Sequence, residues 1–193
     1  IWEVNKNNVG NAFIDFGIQK QKEVNHVESD NGKNLAWDIN GEVYSINTES
    51  KKVQTIFTKK VQNVDKLYKM KARVMKVDDD GNVEYMIYGY SPSDKHIGEN
   101  GISIMKYDVS KNESTEVVFI PTDKEAQVLE QQMSELCYEG DKTVYIMLDN
   151  TIYFANMKTK EFGVLAGRFQ DGACVVNDKG NMVAYNTDCT LNN

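Results

Sequence analysis

The chain alternates between short apolar runs and polar turns, and this pattern predicts β-strands joined by hairpins. In GEVYSINT, Val43 and Ser45 fall on one face of a strand, and Tyr44 and Ile46 fall on the other. The run VYIMLD at 144–149 is nearly all apolar, which is typical of a strand covered by neighbouring sheets on both faces. The pattern therefore predicts an all-β fold with buried sheets.

The same order of turns and strands recurs along the chain. The glycines that open the units are separated by 49, 59 and 40 residues: Gly32, Gly81, Gly140 and Gly180. Each unit contains an Asx-Gly turn, an apolar strand, a second turn, an alternating strand, a Lys/Thr/Ser/Asn-rich turn and a final strand. We place the units at about 28–58, 66–120, 136–167 and, incomplete, 172–193. A repeat of this length predicts antiparallel four-stranded blades in a partial or small β-propeller-like array.

One unit, LAWDINGEVYSINTESKKVQTIF, resembles the blades of bacterial β-propeller repeats of the TolB-like, PQQ-like and YWTD-like kinds. In those blades a G-x-[IVL]-Y-x-[IVL]-[ND] strand precedes a polar turn and an outer strand. The resemblance covers roughly 29–186 as a pattern and implies the fold alone. No cofactor-binding or YWTD motif is matched, so we expect no cofactor. The insertion YGY…H…G…G is similar to that of uncharacterised, membrane-anchored Firmicutes proteins, which implies an extracellular or cell-surface location.

The number of blades stays open at this point. A closed propeller needs about four or more blades, and the chain holds three complete units and the start of a fourth. Either the segment GNAFIDFGIQKQ completes the last blade, or the remainder lies outside this sequence. We interpret 1–193 as a single propeller-like domain excerpted from a longer protein, because it begins at Ile1 without an initiator Met. An open array would expose blade edges and favour self-association.

One segment, PTDKEAQVLEQQMSEL, departs from the strand pattern. Thr122 and Glu125 have the spacing of a helix capping box. The apolar residues that follow share one helical face: Ala126, Leu129, Met133 and Leu136. This spacing predicts a short inserted helix near 123–135.

The charge of the chain limits its partners. The formal net charge is −7 and the pI is near 4.9, which disfavours binding to nucleic acid or anionic membranes. No apolar run reaches the roughly 18 residues that a membrane-spanning helix needs, so we expect no direct membrane insertion.

The three cysteines do not form a metal-binding motif. Cys137, Cys174 and Cys189 lie outside any CxxC or Cys/His cluster. If 174–186 is a hairpin, Cys174 faces Tyr185, and Cys189 lies beyond the reach of a cross-strand disulfide. We therefore expect unpaired thiols.

The acidic run DDDGN allows two interpretations. A calcium loop needs oxygen ligands at alternate positions, but Lys76 stands where the first carboxylate would be and no closing Glu follows. We favour a hairpin turn, and Asp78 and Asp80 are the only metal candidates that we retain.

The candidate ligand-binding residues lie in and beside the insertion at 89–101, which replaces a tight turn between the second and third strands of its unit. Tyr88 and Tyr90 would offer amphipathic rings at the mouth of this loop. His96 and Glu99 would form a pH-sensitive pair. A plain exposed loop is the alternative interpretation.

Two functions follow from these features. We favour a non-catalytic binding or scaffold module of a bacterial surface or secreted protein, with a protein or carbohydrate ligand, because the chain has no G-x-S-x-G motif and no catalytic signature around His26 or His96. The alternative is an enzyme domain, a glycan hydrolase or lyase or a peptidase-associated propeller. A deep pocket with converging polar groups, including a carboxylate and a histidine, would favour the enzyme.

Overall fold

All regular elements in the described part of the chain are β-strands. The computed structural model describes residues 2–4, 10–12, 24–58, 70–91, 93, 95–96, 99–122, 136–139, 143–148, 151–167, 174–176 and 183–185. The predicted helix at 123–135 lies outside these ranges. Among the described residues, no helix has the length and apolar character that crossing a bilayer requires.

The strands form three four-stranded sheets, in each of which neighbouring strands pair antiparallel in chain order. Sheet I contains β3 (Asn25–Glu28), β4 (Asn34–Ile39), β5 (Glu42–Asn47) and β6 (Lys52–Phe57). Sheet II contains β7 (Met70–Val77), β8 (Val83–Tyr90), β9 (Asn100–Asp108) and β10 (Glu113–Pro121). Sheet III contains β11 (Leu136–Glu139), β12 (Thr143–Leu148), β13 (Thr151–Asn156) and β14 (Phe162–Gly167). The predicted antiparallel four-stranded sheets are confirmed.

Two shorter pairs of strands flank these sheets in the sequence. They are β1 (Trp2–Val4) with β2 (Gly10–Ala12), and β15 (Cys174–Val176) with β16 (Val183–Tyr185). Each pair forms its own two-stranded sheet, and the described residues show no closed ring. Cys174 lies opposite Tyr185, which confirms the predicted register of this hairpin.

The outer hairpin is built in the same way in all three sheets. An Asn or Asp ends the third strand, and its side-chain oxygen accepts backbone N–H groups of the turn. Four residues later a residue other than glycine has a positive φ. The pairs are Asn47 with Lys51 (φ 55°), Asp108 with Asn112 (φ 53°) and Asn156 with Lys160 (φ 63°). Five residues further on, the fourth strand contains a bulge in each sheet, at Ile56, Val117 and Leu165. The three hairpins are therefore structural copies of one another.

Sheet II is packed on both faces. One face shares an apolar cluster with sheet I, in which Val43 and Phe57 meet Tyr85. The other face shares a cluster with sheet III, in which Ile104 meets Ile146. Burial of both faces explains why the inner strand β8 has a single charged residue, Glu84.

The free edge of β7 is hydrogen-bonded to sheet I. The Ala72 N–H donates to the Gly41 carbonyl oxygen at 3.2 Å, and the Val74 N–H donates to Asp38 Oδ2 at 2.9 Å. Asn25 Nδ2 donates both to the Val74 carbonyl oxygen and to Asp38 Oδ2, each at 3.0 Å. These bonds satisfy backbone groups that an edge strand would otherwise leave without partners, and they fix the position of sheet II against sheet I.

The Asp38 carboxylate should make the stability of the fold depend on pH. Burial raises the pKa of Asp38, while hydrogen bonds from Val74 and Asn25 and the charge of Arg73 act in the opposite direction. The folded chain holds the proton of the Asp38 carboxyl group more tightly than the unfolded chain. The contribution of Asp38 to the free energy of unfolding therefore falls as the pH rises from about 3.9 through its folded pKa. Asn at this position mimics the protonated carboxyl and removes the titration. Relative to Asp38→Asn, the free energy of unfolding of the unmodified protein should therefore decrease with rising pH in denaturant titrations. If the free energy of unfolding of the unmodified protein, measured relative to that of Asp38→Asn, increases with pH, this expectation is wrong.

Candidate functional site

A cleft of about 930 Å³ lies between the outer strands of sheets I and II. Its apolar wall is formed by Phe57 of β6, Tyr85 and Ile87 of β8, and Met105 of β9. Its polar wall comes from the ends of β6 and β10 and from the loop after β8: Thr55, Thr58, Ser93, Lys95, Glu113, Ser114, Thr115 and Glu116. The cleft therefore combines an apolar wall with a larger wall of polar and charged groups.

Glu116 is the most deeply placed charged group of this cleft. Its side chain is only 10% exposed. Oε2 accepts hydrogen bonds from the hydroxyls of Ser103 at 2.8 Å and Ser91 at 3.2 Å. Oε1 lies 3.7 Å from His96 Nε2. Polar groups from β9 and from the loop after β8 thus converge on one buried carboxylate of β10.

His96 holds the loop between β8 and β9 against the sheet. Its ring stacks on Phe119 of β10, with centroids 4.2 Å apart and an interplanar angle of 17°. Nδ1 lies 3.5 Å from Oε1 of Glu99, which is mostly exposed. The Ser91 N–H donates to the Glu99 carbonyl oxygen at 2.9 Å and closes the base of the loop. His96 therefore lies over the face that carries Glu116.

The bulge at Val117 decides which way Glu116 points. Glu116 lies opposite Met105, whereas Val118 lies opposite Ile104, so Val117 is the extra residue. Met105 belongs to the cluster with sheet I, and Val118 and Ile104 belong to the cluster with sheet III. Under strict alternation, Glu116 and Val118 would share one face. The bulge instead turns Glu116 toward the cleft.

The four-stranded sheet itself does not require a carboxylate at this position. The residues that precede the bulge in sheets I and III are Thr55 and Val164. Glu116 is therefore individual to sheet II. Glu116 was not among the predicted site residues; an alignment of the three outer hairpins on their turn residues shows that its residue type is unusual but not which way its side chain points.

The predicted ligand-binding residues occupy different environments. His96 and Glu99 are brought together, as the prediction of a pair requires. Tyr88 is 6% exposed and packs in the cluster shared with sheet III, so its ring offers no surface at the loop mouth. Burial, followed by the charge of Asp38, raises the pKa of Tyr88 to about 12. Tyr90 ends β8, and its side chain lies outside what the structure describes.

The candidate metal ligand Asp78 serves as a turn cap. Its Oδ1 accepts the N–H groups of Asp80 at 3.1 Å and Asn82 at 2.8 Å, and its Oδ2 accepts the Asn82 side-chain amide at 2.9 Å. Asp79 Oδ1 accepts the Asn31 N–H at 2.9 Å and ties this turn to sheet I. Within the described ranges, no group of three or more His, Cys, Asp or Glu side chains is placed to hold a metal ion.

The two serines beside Glu116 are not arranged as a Ser-His pair. An activated serine requires its hydroxyl to donate to a histidine. Here the hydroxyls of Ser91 and Ser103 donate directly to Glu116. Polar groups converge on the cleft, and His96, which is not part of its wall, lies 3.7 Å from Glu116.

No protein-family model and no curated protein matches the chain. Among solved structures, a chain of the mitotic checkpoint complex is 12% identical with a TM-score of 0.50, over 83% of this chain and 42% of that one. An oligogalacturonate lyase in complex with manganese is 15% identical with a TM-score of 0.47, over 70% of this chain and 33% of that one. The oligogalacturonate lyase of Vibrio parahaemolyticus is 10% identical with a TM-score of 0.36, over 92% of this chain and 66% of that one. This chain thus spans less than half of the length of the checkpoint-complex chain and of the manganese-bound lyase.

Both lyases are β-propeller proteins, and the likeness to all three structures concerns the fold alone. The described part of this chain is all-β, with three four-stranded antiparallel sheets.

Proposed function

We propose that this chain is a non-catalytic binding module whose ligand lies in the cleft between sheets I and II. The observation that supports the proposal most is the carboxylate of Glu116, which is nine-tenths buried in a cleft of about 930 Å³ at a position where the other two sheets carry Thr and Val. A cleft of this size is within the range that accommodates small ligands or parts of larger ones.

The wider setting is part of the same proposal. The three sheets are blades of a propeller that belongs to a longer protein of the bacterial surface or a secreted one, and the ligand is a protein or a carbohydrate. The repeated outer hairpins and the packing of sheet II on both faces support the blade assignment. Exposed Val53 on β6 and Val164 on β14, both at sheet edges, support self-association.

The proposal predicts where a ligand perturbs the protein. In ¹H–¹⁵N spectra, titration with a panel of neutral oligosaccharides and short peptides should shift the amide signals of 55–58 and 113–116. Glu116→Thr should lower the affinity for whichever ligand causes these shifts by about tenfold, because the substitution removes a charged hydrogen-bond acceptor. Thr occupies the equivalent position in sheet I, so this variant should fold.

The control for the titration is Lys160→Ala, which changes an exposed turn residue of sheet III. It should leave both the spectrum of the cleft and the affinity unchanged. Shifts confined to residues far from the cleft, or equal binding by Glu116→Thr, would overturn the proposal.

A further inference from the structure

We infer that the cleft binds the basic side chain of a protein partner, a lysine or arginine, with its charged head on Glu116 and its apolar stem along Ile56 and Phe57 of β6 and Met105 of β9. This inference rests on the proposed function and names the ligand chemistry of the same site.

The charges around the cleft favour a cation. Glu113 and Glu116 line it, and Lys95 is the one cation among the described lining residues. Lys95 is exposed, whereas the Glu116 side chain is nine-tenths buried. A formal charge of −7 on the whole chain adds a long-range attraction for basic partners.

Glu116 also has unused capacity as an acceptor. The hydroxyls of Ser91 and Ser103 both donate to Oε2. Within the described ranges the polar neighbour of Oε1 is His96 Nε2, which at 3.7 Å is beyond hydrogen-bonding distance. Two neutral hydroxyl donors do not balance a full negative charge in a partly dry site. An ammonium or guanidinium group would supply both the missing donor and the opposite charge.

The wall beside Glu116 suits the stem of a long basic side chain. Ile56 lines the cleft as a partly exposed apolar side chain, and Phe57 and Met105 line it at 8% and 7% exposure. Lysine and arginine place three or four methylene groups along apolar surfaces while the head contacts a charge. A neutral sugar would use the hydroxyl groups of the rim but would leave the charge of Glu116 unbalanced.

The test uses matched peptides on the intact chain. Acetylated, amidated pentapeptides with a central lysine, arginine or norleucine are titrated by calorimetry and by ¹H–¹⁵N spectroscopy, because norleucine keeps the stem without the charge. We expect the lysine or arginine peptide to bind at least about tenfold tighter than the norleucine peptide. Glu116→Gln and Glu116→Thr should each abolish that preference, so that the basic and norleucine peptides bind about equally well. The control Glu161→Thr makes the same change of charge at an exposed position in sheet III and should leave it intact.

The outcomes separate the two proposals. If a neutral oligosaccharide shifts the cleft amides and the basic peptides do not, the binding function stands and the inference of a cationic ligand is wrong. Equal binding of the norleucine peptide, or full affinity in both Glu116 variants, also overturns the inference. If none of these ligands perturbs 55–58 or 113–116, both proposals fail. Thermal melts of both variants show whether the fold is kept.

Discussion

Replacing Trp37 by alanine is expected to lower the free energy of unfolding by about 3 to 5 kcal/mol, the range for deleting a buried aromatic side chain. Trp37 is 0% exposed and lies on the face of sheet I that points away from sheet II. Its ring stacks on Tyr44, with centroids 5.7 Å apart, and packs with Ile39 and Ile46. The alanine variant leaves a large void that this small cluster cannot fill. Denaturant titration followed by circular dichroism measures the loss.

Two further variants make this result specific. Trp37→Phe keeps a ring against Tyr44 and should lose clearly less than the alanine variant. Val53→Ala shortens a side chain that is 47% exposed at the edge of the same sheet, and it should change the stability by about 0.5 kcal/mol or less. A loss below about 1 kcal/mol for Trp37→Ala would show that this cluster is not part of the core.

Replacing Gly101 by alanine is expected to lower the free energy of unfolding by about 3 kcal/mol through overpacking. Gly101 lies at the start of β9, opposite Gly89 and Pro121. A methyl group there would lie 2.5 Å from Phe119 Cζ and 2.6 Å from the Ile120 carbonyl oxygen. Rotating the phenylalanine ring cannot relieve the contact with the backbone oxygen, so the two strands must separate.

The Gly101→Ala variant should also disturb the cleft. Phe119 carries the stacked ring of His96, so its displacement moves the group that lies beside Glu116. We expect both a lower melting temperature and shifted amide signals at 113–116. Lys106→Ala, an exposed change in the same strand, is the control and should affect neither measurement. A Gly101→Ala variant with unchanged stability would show that β9 and β10 are not held as closely as described.

Local sequence patterns predicted the hairpins well, because turn conformations depend on a few neighbouring residues. Asn40 and Gly41 both have positive φ, as a two-residue hairpin turn requires. Alternation placed Val43 and Tyr44 on opposite faces of β5, as their different clusters confirm. The first strand of sheet I was missed: β3 is short, its residues are only partly buried or exposed, and it carries a weak apolar pattern.

The candidate site was predicted only in part. The pairing of His96 with Glu99 follows from their spacing of three residues in one loop. The burial of Tyr88 follows from its position inside β8 rather than at the loop mouth. Glu116 was not predicted, because its direction depends on a bulge that two paired strands create.

By itself, the sequence determined the β-rich character of the chain, the repetition of its hairpins and its acidic charge. Turn preferences and side-chain alternation act over a few residues and can be read without knowing the partners. Only the tertiary structure decided that His96 stacks on β10, that sheet II is covered on both faces and that a carboxylate lies buried in a cleft. These features depend on contacts between residues far apart in the chain, whose geometry local periodicity does not specify.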